Sequence, residues 1–123
     1  MDVDTQTHLK TLRDMLGYRL GELRAEVNAA RMARQAREAQ ASAAEVADQK
    51  DQASQWAQAE VGDAEAQRDL DEMALVEQAL QRMDAGTYGD CLQCGEPIPL
   101  ARLYVQPAAL RCAACQAAAE KGR

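Results

Sequence analysis

Leu9, Leu12, Leu16, Leu20, Leu23, Val27 and Ala30 follow one another at steps of three or four residues. That spacing places them on one face of a helix. Leu70, Met73, Val76, Leu80 and Met83 make a second stripe of the same period. From about Thr5 to Met83 the chain is rich in Ala, Gln, Glu, Arg and Leu, and no proline precedes Pro97. These are good helix formers. One unbroken helix of that length would be a rod of roughly 120 Å with both stripes in water. Folding back lets each stripe cover the other. The pattern therefore predicts a mainly α protein, with a long antiparallel two-helix coiled-coil hairpin over residues 1–86. A straight helix paired with a second copy is the competing arrangement.

Neither Gly nor Pro marks the reversal. Ala47–Asp51 is the best position for it, because Asp48 and Asp51 can cap helix starts. The tip then falls at about 47–52, and facing residues have numbers that add to about 99. Leu23 is expected opposite Val76, Val27 opposite Met73 and Leu20 opposite Leu80. Arg37 comes near Asp63, and Arg31 near Asp69. Between Met32 and Gln55 the apolar residues are almost all alanine, so the distal hairpin should be slender. Trp56 is expected to pack across onto Ala43 or Ala44. Gly62 interrupts the second helix at a cost of about 1 kcal/mol relative to Ala, and the surrounding sequence supplies no reason for it.

The pattern changes after residue 86. Cys91, Cys94, Cys112 and Cys115 form two Cys-x2-Cys pairs separated by seventeen residues. This spacing points to a structural zinc ion, since each pair can chelate from one tight turn. Gly95 suits the turn after the first pair. Four thiolates leave no open coordination position, so the metal is structural rather than catalytic. Residues 87–123 are read as a small four-cysteine zinc finger ending in a C-terminal helix. With no Phe, one Trp and three Tyr in 123 residues, such a segment needs a staple in place of a large hydrophobic core. Two disulfides are the alternative use of the cysteines. They are disfavoured because nothing resembles a secretory signal. A zinc site that releases its metal on oxidation is a further reading.

Charge narrows the function. The net charge is −6, and residues 45–72 carry nine acids against only Lys50 and Arg68. An acidic chain without a basic stripe is poorly suited to nucleic acid, where phosphate contacts supply much of the affinity. No apolar run approaches the length of a membrane span. The expectation is a cytoplasmic monomer that neither binds DNA sequence-specifically nor enters a membrane. The closed metal site and the lack of a nucleophile–base pair argue against an enzyme. His8 is expected in solvent, and Arg102 and Arg111 are expected to offset the negative charge of four thiolates.

The finger segment reads Tyr88-Gly89-x-Cys91-x-x-Cys94-Gly95-x-x-Ile98-x-x-x-Arg102-Leu103-x-x-x-Pro107-x-Ala109-x-x-Cys112-x-x-Cys115. It resembles the zinc finger of the DksA/TraR family of bacterial transcription regulators. Asp48-x-x-Asp51-x-Ala53 is similar to the motif at the coiled-coil tip of the family's long-hairpin members. The extra N-terminal segment of some members has no evident counterpart. The resemblance implies direct binding to RNA polymerase, with the hairpin in the secondary channel and Asp48, Asp51 and Ala53 near the catalytic centre. It implies that promoter-complex stability is altered, and that the finger docks at the channel rim with Arg68 at a rim-facing position. Members that respond to guanosine tetraphosphate, the stringent-response alarmone, carry basic residues where this chain has Gln106, Gln116 and Leu75. No such response is expected here, because a phosphate-rich ligand needs cationic donors.

Two other functions compete. GATA-type DNA-binding fingers share the cysteine spacing, but need basic residues that Lys121 and Arg123 alone do not supply. A zinc knob with a coiled-coil arm could also serve as an adaptor, or as a diverged paralogue that occupies polymerase without regulating it.

Overall fold

The computed structural model describes residues 3–43 and 49–122, with side chains for residues 5–41 and 52–122. Four helices follow in order: α1 (Val3–Ala43), α2 (Gln49–Ala85), α3 (Leu100–Val105) and α4 (Ala113–Lys121). The two long helices are those predicted from the two stripes. The C-terminal helix is α4, and the short α3 is an addition to the sequence expectation. None of the described helices is long and apolar enough to cross a membrane.

The chain divides into two compact units, Met1–Leu20 with Ala74–Arg123, and Gly21–Met73. In the first, the opening turns of α1 lie antiparallel to the closing turns of α2. Arg13 Nη2 donates to Asp84 Oδ1 at 2.9 Å, close to the predicted register. Leu12, Leu16 and Leu20 from α1 and Val76 and Ala79 from α2 are buried. Both stripes therefore supply core here, as amphipathic helices do when each covers the other's apolar face.

The same core continues into the finger. Leu12 is clustered with Cys91, Ile98 and Leu103, and Met15, Met83, Tyr88 and Tyr104 pack against them. The finger is thus less dependent on the metal alone than its composition implied, because α1 lends it a leucine. His8 corrects a second expectation. It is half-buried, and its Nδ1 lies 2.6 Å from the Tyr104 hydroxyl. The two rings meet edge to face at 77°. Tyr104 lies 96 residues away in sequence, so no local pattern signalled the contact.

The second unit is built differently. Among its described residues, Leu23 is the only buried side chain. Small residues replace large ones between the helices: Ala29, Ala30, Ala33, Gly62 and Ala66 line an open groove of about 1040 Å³. Across it Arg37 Nη2 approaches Asp63 Oδ1 at 3.7 Å, the pairing expected from the register. Surface pairs of this kind contribute about 0–1 kcal/mol. Trp56 departs from expectation. It is 70% exposed, and the side chains of Ala43 and Ala44 lie outside the described residues.

Gly62 now has a setting. A Cβ placed there would meet only Arg37 Nη1, at 3.9 Å, an ordinary contact with the end of a flexible side chain. Its backbone is helical and needs no special conformation. Gly62→Ala is therefore expected to stabilise the protein by about 1 kcal/mol, read as a rise in thermal midpoint. A fall would mean that the arm needs the glycine for a closer approach than the one seen.

Candidate metal centre

Two backbone turns bring the cysteines together. The first begins at Gly89, whose φ of 91 belongs to the left-handed region that glycine tolerates. Ile98 N–H donates to Gly89 O at 2.7 Å and Cys91 N–H to Glu96 O at 2.9 Å, while Asp90 and Pro97 form an isolated antiparallel bridge. Inside this loop Gly95 N–H donates to Cys91 O at 3.1 Å. Gly95 has φ 76, as a turn closing round a metal after Cys94 requires. The second turn runs into a helix. Cys112 is the N-cap of α4, and Gln116 N–H donates to its carbonyl at 2.9 Å. Cys115 then sits within the first turn of α4.

Side chains other than the cysteines lock the turns together. Arg82, near the end of α2, donates to Thr87 O at 3.1 Å and also to Asp90 O, just before Cys91. Arg102 Nε donates to Arg111 O at 3.1 Å, and Arg111 Nε to Gln93 Oε1 at 3.0 Å. Gln93 lies between the first two cysteines and Arg111 directly precedes the third. The two arginines expected to serve as counter-charges therefore also make a hydrogen-bonded link from α3 through the second turn to the first. Leu92 N–H, donating to Leu110 O at 2.9 Å, adds a backbone tie between the same turns.

Tyr88 completes the frame by donating to Pro107 O at 2.8 Å. Burial pushes its phenol up to about 12, against a lowering influence from Arg82. The hydroxyl thus keeps its proton and remains a donor throughout the neutral range. This contribution is complete below pH 10 and is lost as pH rises through about 12. Tyr88→Phe is expected to cost about 0.5–1.5 kcal/mol at neutral pH, the net worth of one such bond. Comparing thermal midpoints of the two proteins at pH 7 tests this; equal midpoints would remove Tyr88 from the frame.

The four Sγ atoms lie within 4.8 Å of one another, and Cys94 Sγ is 3.9 Å from Cys112 Sγ. A tetrahedron with Zn–S bonds near 2.3 Å has edges of about 3.8 Å. The donor set therefore fits one zinc ion. All four cysteines are free, which removes the disulfide alternative. Electrostatics agree with a site built for a cation. Backbone hydrogen bonds from Cys94 and Cys112 draw the Cys91 thiol down to about 6. Hydrogen bonding to Cys112 and Cys91 pushes Cys115 up to about 12. Clustered thiols cannot all ionise without a compensating positive charge, and a dication supplies it.

The remaining predicted site residues lie elsewhere. Asp48 is outside the described residues. Asp51 is in the first turn of α2, its side chain outside them. Ala53 is exposed on α2. Arg68 is exposed on the same helix and makes no ion pair among the described residues.

Comparison with known proteins follows the geometry. Residues 86–121 match the family described as the prokaryotic dksA/traR C4-type zinc finger. A stretch of 50 residues is 44% identical to the RNA polymerase-binding transcription factor DksA of Caulobacter vibrioides strain NA1000 / CB15N, with the same figures for strain ATCC 19089 / CIP 103742 / CB 15. That stretch covers 41% of this chain and 34% of the relative, about a third of the relative's length. The structure of transcription factor DksA2 from Pseudomonas aeruginosa superimposes with a TM-score of 0.77 at 28% identity, over 94% of this chain and 84% of that one. The finger that matches this family thus sits in a chain similar in fold to a solved transcription factor over nearly its whole length: residues 86–121 are a C4-type zinc finger of the dksA/traR kind, with four cysteines placed for one structural zinc ion.

Proposed function

We propose that this protein is a bacterial transcription regulator that binds RNA polymerase directly. Residues 1–86 are the arm and residues 87–123 the finger. The arm enters the secondary channel with Asp48, Asp51 and Ala53 foremost, and changes the stability of promoter complexes. Cys91, Cys94, Cys112 and Cys115 hold the zinc, and Arg68 meets the channel rim. The protein acts in the cytoplasm as a monomer, is not an enzyme and reads no DNA sequence itself. The observation that carries this reading is the likeness to a solved transcription factor over 94% of the chain, helices and finger together. Arg68 is exposed, makes no ion pair among the described residues and lies on an otherwise acidic stretch of α2, which supports its role as a partner contact.

The test is transcription from a ribosomal RNA promoter by purified polymerase, with the wild type beside the Asp48→Asn/Asp51→Asn double variant. The wild type is expected to change transcript yield, and the double variant to bind polymerase without that effect. A wild type that fails to bind polymerase would overturn the proposal. If wild type and double variant act alike, the arm is a docking device and the adaptor reading gains.

The regulator works without guanosine tetraphosphate. Gln106 is the C-cap of α3, Gln116 donates to Glu120 Oε1 at 3.0 Å, and Leu75 is 40% exposed. None supplies a cation for a phosphate. Adding the alarmone is therefore expected to leave the protein's own effect on transcription unchanged. An enhancement that Gln106→Ala or Gln116→Ala abolishes would refute this.

A further inference from the structure

Trp56 is the only tryptophan in the chain, and it stands 70% exposed on α2. An isolated exposed leucine is ordinary, but a tryptophan left in water exposes about 150–250 Å² of largely apolar surface. Its surroundings leave it accessible. Ala53 and Ala57, three residues before and one after, are exposed and small. Glu60 lies one helical turn further on, also exposed, so its Cβ is about 6 Å from that of Trp56 on the same face. Among the described residues, Glu60 has no hydrogen-bond or ion-pair partner.

An indole face beside an unpaired carboxylate has a definite complement. A guanidinium or ammonium group can lie over the ring, attracted by its negative face. The same cation can hydrogen-bond to the carboxylate one turn away. The wider field has the same sign, since residues 45–72 hold nine acids against Lys50 and Arg68. That field repels a second copy of the same helix and disfavours nucleic acid. It favours a basic protein surface. Trp56 also follows Asp51 by only five residues, about 7.5 Å along α2, so a partner that meets the foremost aspartates passes close to the ring.

We infer that Trp56 and Glu60 form a docking point on the arm for an arginine or lysine side chain on the RNA polymerase channel wall. This rests on the polymerase reading above and names a contact within it. The aromatic anchor supplies affinity, and the carboxylate selects a cation. Phosphate-bearing or acidic surfaces are excluded from the same place.

The experiment uses the zinc-loaded full chain and purified polymerase. Trp56→Ala is expected to weaken binding about 10- to 100-fold, the range for a tryptophan anchor. Zinc content and helical signal should not change, because the ring is exposed. Trp56→Phe should recover part of the loss. Glu60→Gln should weaken binding several-fold and make it less sensitive to salt. Biosynthetic 5-fluorotryptophan gives a single fluorine resonance, expected to shift on adding polymerase. If the wild type binds and Trp56→Ala binds equally well, the docking point is wrong while the polymerase reading stands. If the wild type does not bind, both fall. A fluorine shift produced by single-stranded oligonucleotide alone, or by raising the protein's own concentration, would overturn the inference in favour of nucleic acid or a second copy.

Discussion

Cys112→Ser is expected to abolish zinc binding at neutral pH and unfold the segment from Cys91 to Cys115, while most of the helical signal survives. Cys112 occupies two roles, as one of four clustered sulfurs and as the N-cap of α4. Its loss opens the donor set, and once the zinc dication is lost the remaining thiols lack the positive charge that lets them ionise together. Structural zinc sites supply apparent free energies of about 10–16 kcal/mol, more than the margin by which most domains are stable. The long helices keep their own backbone hydrogen bonds, so the loss is local. Strong chelation of the wild type should give the same state. Near-ultraviolet dichroism and limited proteolysis should change, and far-ultraviolet dichroism should change little. Full zinc occupancy in the variant would mean that the ligands are misassigned. Acid should act in the same direction. Cys115 must surrender a proton held up to about 12 in the metal-free cluster, so zinc affinity falls as pH is lowered.

Leu12→Ala is the second large effect. Leu12 is 1% exposed and touches the core that contains Cys91, Ile98 and Leu103. Truncating a leucine so placed costs about 2–5 kcal/mol, the spread reflecting how far the cavity collapses. The loss should appear twice, as a lower thermal midpoint and as weaker retention of zinc against a competing chelator. Val105→Ala is the control, since Val105 is 80% exposed and should shift stability by less than about 0.5 kcal/mol. If both substitutions leave zinc retention alike, α1 does not support the finger.

The contrast between these residues shows what could be read from the chain. The cysteine spacing revealed the metal centre because chelation is a local requirement, met by two short turns. The leucine stripes revealed the long helices because helical period is also local. Arg37 and Asp63 were matched from an inferred register and are found together. Leu12 was legible as a buried residue but not as part of the finger's core, because that contact joins segments about eighty residues apart. The His8–Tyr104 pair was hidden for the same reason, whereas the Arg102–Arg111–Gln93 link is short-range and depends on how the two turns pack, which no periodic pattern signals. Trp56 misled differently. It was expected against Ala43 or Ala44 but is 70% exposed, and the alanine-lined arm offers few large apolar side chains to cover a ring.

The long reach of α1 has a consequence for how the protein is made. His8 and Leu12 leave the ribosome early, whereas Tyr104 and Leu103 are synthesised more than ninety residues later. At 5–20 residues per second, that interval is roughly 5–20 s. During it the Leu12–Leu16–Leu20 stripe has no finger to cover its first turn. Completion of this unit therefore waits until the finger has been synthesised, and then requires closing a loop between distant segments as well as forming helix. A nascent chain arrested before α3 should expose that stripe to chaperones, and release of the full-length chain should end the exposure.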